Sequence, residues 1–146
     1  MDPRDPGSAR QLATDLVDFL RPVAARVAAI RTLSSGKVNV LRHLARQERA
    51  SGADLAEAIG VSAQAISLVT KELQELGYLE RLPDPSDRRR SWFVLTDAGR
   101  ERLTSEMAVS SGWLEQVIGQ RLSEEECREL AAVIPLLHRL VSGAEE

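Results

Sequence analysis

A single cysteine, Cys127, occurs in the chain, so no intrachain disulfide can form, which suits a reducing cytoplasm. Only two histidines are present, His43 and His138, far apart and without a Cys/His/Glu cluster at ligand spacing, so no metal site is expected. Cys127 sits in an acidic helical turn, where nearby carboxylates oppose thiolate formation and a redox role. Aromatic residues make up 3% of the chain, and Trp92 and Trp113 read as core or interface residues. No apolar run approaches the roughly 20 residues of a membrane helix, and no signal-peptide pattern is expected. There is no Gly-rich phosphate loop, no His beside a candidate nucleophile and no convincing pair of catalytic carboxylates. An enzyme is therefore not expected, and no cofactor is implied.

The formal net charge of −3 also argues mildly against a polyanionic partner, but the charge is unevenly distributed. Gly36 to Arg100 holds ten Lys/Arg against nine Asp/Glu, and Arg81 to Arg90 holds four against two. The basic signal is local, and it falls beside the most informative pattern in the chain.

That pattern begins at Ser51-Gly52-Ala53-Asp54, a capping box with Asp in place of Glu. Leu55, Ala56 and Ile59 fall on one face of a short helix. Gly60 can end that helix in a left-handed conformation, and Val61 is expected to plug the turn. Ser62 is the N-cap of a second helix, Ala63 to about Leu76, whose Ile66, Val69, Leu73 and Leu76 should face the core. Its opposite face presents Ala63, Gln64, Ser67, Leu68 and Lys71. Small and amide side chains near a helix N-terminus allow close approach to base edges in a major groove. Gly77 ends the helix.

Tyr78 to Leu82 then reads as a strand, Pro83-Asp84-Pro85-Ser86 as a turn and Ser91 to Leu95 as the returning strand. Arg88, Arg89 and Arg90 crowd the tip. Adjacent guanidiniums repel one another and are favoured where phosphates or a narrow minor groove neutralise them. Asp87 is expected to orient Arg89 through a salt bridge. Thr96 caps the next helix. The order is a helix-turn-helix followed by a basic wing, which implies double-stranded DNA as partner, with Ser62 and Arg88 to Arg90 added to the exposed helix face.

These residues resemble the MarR family of transcriptional regulators. The matching positions are Leu55-Ala56, Gly60-Val61-Ser62, Leu73 to Gly77 with Tyr78-Leu79, Arg81, Asp87-x-Arg89 before Leu95-Thr96, and Gly99. Leu33-Ser34, Val40-Leu41 and Leu44 match upstream, and Leu122 to Glu126 downstream, so the likeness spans roughly Leu33 to Leu140. Leu68 and Lys71 depart from it: relatives often carry Arg and an acidic residue there. Leu68 could touch a thymine methyl, and Lys71 could restore charge one turn on.

The flanks carry apolar stripes. Leu12, Leu16, Phe19, Leu20, Val23, Val27 and Ile30 recur at helical spacing from about Ala9 to Arg31, around Pro22. Asp97 to Gly119 reads as a long polar helix. Ser123-x-x-Glu126 is a capping box opening a helix to about Ser142, with Leu130, Val133, Ile134, Leu137 and Leu140 as its stripe and Pro135 inside. The stripes alone fit packing within one chain or between chains.

The resemblance implies a homodimer with Leu12, Leu16, Phe19, Leu20, Val133, Leu137 and Leu140 at its interface. It further implies a repressor on a pseudo-palindromic site and small phenolic or anionic effectors; the effector site is left open, with Arg42, His43 and Arg46 on the helix before the motif as candidate anion contacts. The expected fold is mainly α with a small β-hairpin wing. Residues 1–8 are expected as a disordered lead and 9–142 as a single domain. Within it 34–100 form the winged helix-turn-helix part, and 9–33 and 101–142 the dimerisation helices. A protein-interaction module on the same scaffold is the alternative.

Overall fold

The computed structural model describes residues 6–87 and 89–142. Its elements run α1 (Pro6–Ile30), α2 (Ser35–Arg46), α3 (Gly52–Ile59), α4 (Ala63–Glu75), β1 (Leu79–Pro83), β2 (Ser91–Leu95), α5 (Asp97–Arg121) and α6 (Glu124–Ser142). α1 starts inside the segment expected as a lead. The chain divides into two units at Ser110/Ser111, within α5.

The first unit holds the core. Val38, Val40, Leu41 and Leu44 of α2, Leu55 of α3 and Ile66 and Leu73 of α4 are buried together with Ala50, Leu79, Phe93 and Leu103. Each fully buried leucine side chain contributes roughly 1.5–3 kcal/mol. Two positions depart from expectation. Leu76 is 50% exposed and Val61 43% exposed. Leu76 is the C-cap of α4, where its backbone amide still bonds to Glu72. The chain turns at Gly77, and the core has already been closed by Leu73 and Leu79 on either side.

The local signals form as read. Ser51 Oγ accepts from the Asp54 amide while Asp54 Oδ2 accepts from the Ser51 amide at 2.8 Å, a complete capping box. Gly60 takes φ 73°, which a Cβ would oppose, and its amide closes α3 on Ala56 and Glu57. Ser62 Oγ accepts from the Ala65 amide at 3.2 Å, and Thr96 Oγ1 from the Gly99 amide at 3.0 Å.

β1 and β2 pair antiparallel in register Leu79 with Leu95, Arg81 with Phe93 and Pro83 with Ser91. Pro83 thus closes β1 rather than opening the turn. As the last residue of an edge strand, its missing N–H costs no interior ladder bond. Ala50 adds a bridge on the far edge: Phe93 donates to its carbonyl at 2.8 Å and receives its amide at 3.2 Å.

Glu106 of α5 is buried in the same unit and accepts from the Thr32 hydroxyl and amide. It also pairs with Arg102 at 2.9 Å. Burial pushes its carboxyl up, but hydrogen bonds from Thr32 and the Leu33 amide, with Arg102 beside it, hold it below its ordinary value. Arg31 Nε donates to Ser110 Oγ at 3.0 Å. Residues on either side of the α1–α2 junction are thereby tied to α5.

In the second unit Ser123 and Glu126 complete the expected capping box, the Ser123 amide donating to Glu126 Oε2 at 2.8 Å. α6 runs through Pro135. Trp113 and Cys127 are half-buried. Among the described residues, no helix is long and apolar enough to cross a membrane.

Candidate nucleic-acid interface

The periodicity of α4 divides its faces. Ile66, Thr70 and Leu73 are buried, while Ala63, Gln64, Ser67, Leu68 and Lys71 are exposed together with the cap Ser62. Thr70 bends its hydroxyl back to the Ile66 carbonyl at 2.8 Å, so a polar side chain is satisfied within the buried face. Lys37 of α2 reaches Glu72 at 2.6 Å and ties the helix from behind. Lys71 lies 4.0 Å from Glu75 one turn on, with both side chains largely in solvent, a pairing too weak to hold it.

Facing α4 is the wing. Asp84 organises its turn. Its Oδ1 accepts the amides of Ser86 at 2.7 Å and Asp87 at 3.2 Å, and its Oδ2 accepts the Trp92 indole N–H at 2.9 Å. These donors, the Ser86 amide foremost and Trp92 next, hold its carboxyl below the ordinary carboxylate range, with Arg90 adding a favourable charge. Asp87 Oδ1 accepts the Arg89 backbone amide at 2.9 Å. The salt bridge expected from Asp87 to Arg89 is replaced by this contact to the backbone. No ion pair joins Asp87 to an arginine among the described residues, because its carboxylate is already turned into the chain. Arg81 braces the hairpin by donating to Ser91 Oγ at 2.7 Å.

Between α4 and the wing lies an open cleft of about 800 Å³. Ala63, Ser67, Lys71, Asp87, Arg89 and Arg90 line it, so six of the expected site residues meet there. Ser62, Gln64 and Leu68 lie on the exposed face of α4, beyond the lining of the cleft. Arg88 lies outside the described residues. Sequence reading overlooked Arg49, Asp84 and the placement of Trp92. The Arg49 and Arg90 guanidiniums sit 4.5 Å and 4.3 Å from the Trp92 ring centroid. Asp84 could have been found from Asp-Pro-Ser-Asp, in which an Asp side chain readily takes the amide two residues on. No local signal pairs Arg49 with Trp92.

A second, smaller groove of about 230 Å³ gathers Asn39, Arg42, His43 and Arg46 of α2 against Ala58 and Ile59. Burial first, then Arg31 and Arg46, lower the proton affinity of Arg42. The expected seven interface residues are exposed or half-buried, with Leu12 60%, Phe19 63% and Leu140 66% exposed. Among the described residues, no group of three or more His, Cys, Asp or Glu could hold a metal ion.

A capped two-helix motif followed by a basic hairpin over a shared cleft defines a winged helix-turn-helix fold. Residues 32–90 match the sequence profile of the MarR family. A curated relative from Bacillus subtilis strain 168, the uncharacterized HTH-type transcriptional regulator YdgJ, is 24% identical over 123 residues, covering 84% of this chain and 74% of that one. A putative transcriptional regulator from Pseudomonas aeruginosa superimposes with a TM-score of 0.81 at 26% identity, covering 92% and 96% of the two chains. Wild-type MarR of E. coli, without ligand, shares the fold with a TM-score of 0.69 at 19% identity over 84% and 96%. Residues 32–90 thus resemble the winged helix-turn-helix segment of MarR-family proteins, and the likeness over the rest of the chain is one of fold.

Proposed function

We propose that the protein is a cytoplasmic homodimeric repressor that binds a pseudo-palindromic promoter site and competes there with polymerase. One observation carries the reading: the exposed face of α4 and the Arg89-bearing wing line a single cleft, so one duplex can meet both. Ser62, Ala63, Gln64, Ser67, Leu68 and Lys71 meet the major groove. The wing arginines, with Arg88 among them by sequence, meet phosphates or the minor groove.

The exposed apolar faces of α1 and α6 support the dimer. Phe19 and Leu140 in water are unfavourable, and a two-fold partner removes both from solvent. Two-fold symmetry in turn sets two α4 helices on half-sites about one helical turn apart. A small phenolic or anionic effector releases the DNA by favouring a state with another half-site spacing. The Arg42, His43 and Arg46 groove supports the anionic part of that reading.

The test is selection of bound fragments from sheared genomic DNA, followed by affinity across a salt series. Enrichment of one inverted repeat with steep salt dependence is expected. Uniform weak binding would overturn the reading in favour of a protein-interaction module.

A further inference from the structure

The wing arginines are adjacent in sequence but differ in what they touch. Both Arg89 and Arg90 are exposed, but of the two only Arg90 has an ion pair and a ring contact among the described residues. Arg90 is engaged on several sides. Its guanidinium lies 4.3 Å from the Trp92 centroid, and its Nη2 lies 3.9 Å from Asp54 Oδ2. Its backbone amide donates to Asp87 at 2.9 Å, and its carbonyl accepts from Asp84 at 3.0 Å. Arg49, beside the bridging Ala50, sets a second guanidinium 4.5 Å from the same ring. The indole is itself held by Asp84 through its N–H.

A ring face attracts a guanidinium through its quadrupole. Two guanidiniums on one indole also repel, and Asp54 and Asp84 supply the opposing charge. The group spans the Arg49–Ala50 segment, the start of α3, the turn of the wing and β2. One planar face of this arginine is given to the ring while about half of the side chain stays in solvent, so the ring contact, more than the long Asp54 pair, sets its orientation.

We propose that Arg90 is a positioning residue for DNA binding. With Arg49 it clamps Trp92 and fixes the turn end of the wing to α3, leaving Arg89, among the described residues, as the wing contact to DNA. This rests on the reading that the wing meets DNA, and it removes Arg90 from the direct contacts.

The experiment uses the full chain carrying Trp113→Phe, which leaves Trp92 as the lone tryptophan. Arg89→Ala, Arg90→Ala, Arg90→Lys and Arg49→Ala are compared by emission without DNA and by affinity for the selected fragment across salt. Arg89→Ala should reduce the slope of log affinity against log salt by about 0.9, the value for one lost phosphate contact. Arg90→Ala should shift Trp92 emission and lower affinity about threefold to tenfold at every salt concentration, with the slope unchanged. Arg90→Lys keeps the charge but not the planar group, so it should not restore wild-type affinity.

Loss of slope in Arg90→Ala equal to that in Arg89→Ala, or full rescue by Arg90→Lys, would overturn the proposal. So would unchanged emission in Arg90→Ala. If Arg90→Ala does not fold, Arg49→Ala gives the same emission readout from outside the wing. Unchanged slopes in both alanine variants with shifted emission would leave the clamp standing and refute the wing contact itself.

Discussion

One oxygen of Asp54 serves two partners: Oδ2 accepts the Ser51 amide at 2.8 Å and faces Arg90 Nη2 at 3.9 Å. The cap of the first motif helix and the turn of the wing thus share an atom. The two uses are unequal. The cap is short and reciprocal, whereas the ion pair is long and nearly half in solvent on both sides.

Asp54→Ala should therefore destabilise the protein by about 1 kcal/mol, the usual cost of a lost cap. Ser51→Ala should cost about as much, and the double variant little more than either, since both break one box. The coupling between Asp54 and Arg90 should stay under about 1 kcal/mol. Urea unfolding of the two cycles checks this, and full additivity of Ser51 and Asp54 would refute the shared box.

Acid should loosen these contacts first. Asp54 is held below its ordinary value mainly by Ser51, and Asp84 mainly by the Ser86 amide. A carboxylate depressed in the folded state binds fewer protons there than when unfolded. Its stabilisation is whole above the unfolded value of about 4 and is lost as pH falls through the folded value. Asp84→Asn should flatten the acid-side loss of stability, read by urea unfolding between about pH 2 and pH 7. An acid limb identical to wild type would count against the turn described at Asp84.

Gly99 should resist replacement by the best helix former. A Cβ there would lie 2.2 Å from the Tyr78 carbonyl oxygen. Propensity alone favours alanine by about 0.8–1 kcal/mol. The clash is with backbone and should reverse the sign, giving Gly99→Ala a loss of about 2 kcal/mol in urea unfolding. A more stable variant would show that α5 can shift away from Tyr78.

Phe19→Glu should leave the helix-turn-helix core intact, because the side chain is 63% exposed. If α1 forms the two-fold interface, sedimentation should show the variant as monomer where wild type is dimer. Its affinity for an inverted repeat should fall at least tenfold, toward that of a single half-site. A dimeric Phe19→Glu protein would place the interface elsewhere.

What could be read from sequence was what is local. Ser51 with Asp54, Ser62 with Ala65, Thr96 with Gly99 and Ser123 with Glu126 all lie three residues apart, and each cap formed as expected. Gly60 needed only its own φ. The α4 faces followed from helical periodicity up to Leu76, where the helix ended and the period no longer applied. Relations across the chain were hidden. Arg49 and Trp92 stand 43 positions apart, and Thr32 with Glu106 74 apart. Nothing in the spacing of such residues announces that they meet. The salt bridge expected between Asp87 and Arg89 did not form; Asp87 instead accepts the Arg89 backbone amide, a donor that side-chain charge does not reveal.

The single bridge between Ala50 and Phe93 also bears on how the wing survives damage. A lone two-stranded hairpin is marginal in water, and an exposed turn is where proteases cut. Here β2 is anchored by that bridge and β1 by the buried Leu79. A nick within the turn would break the chain but should not release either piece. The cleaved molecule should migrate as one folded body until denatured, its helices intact.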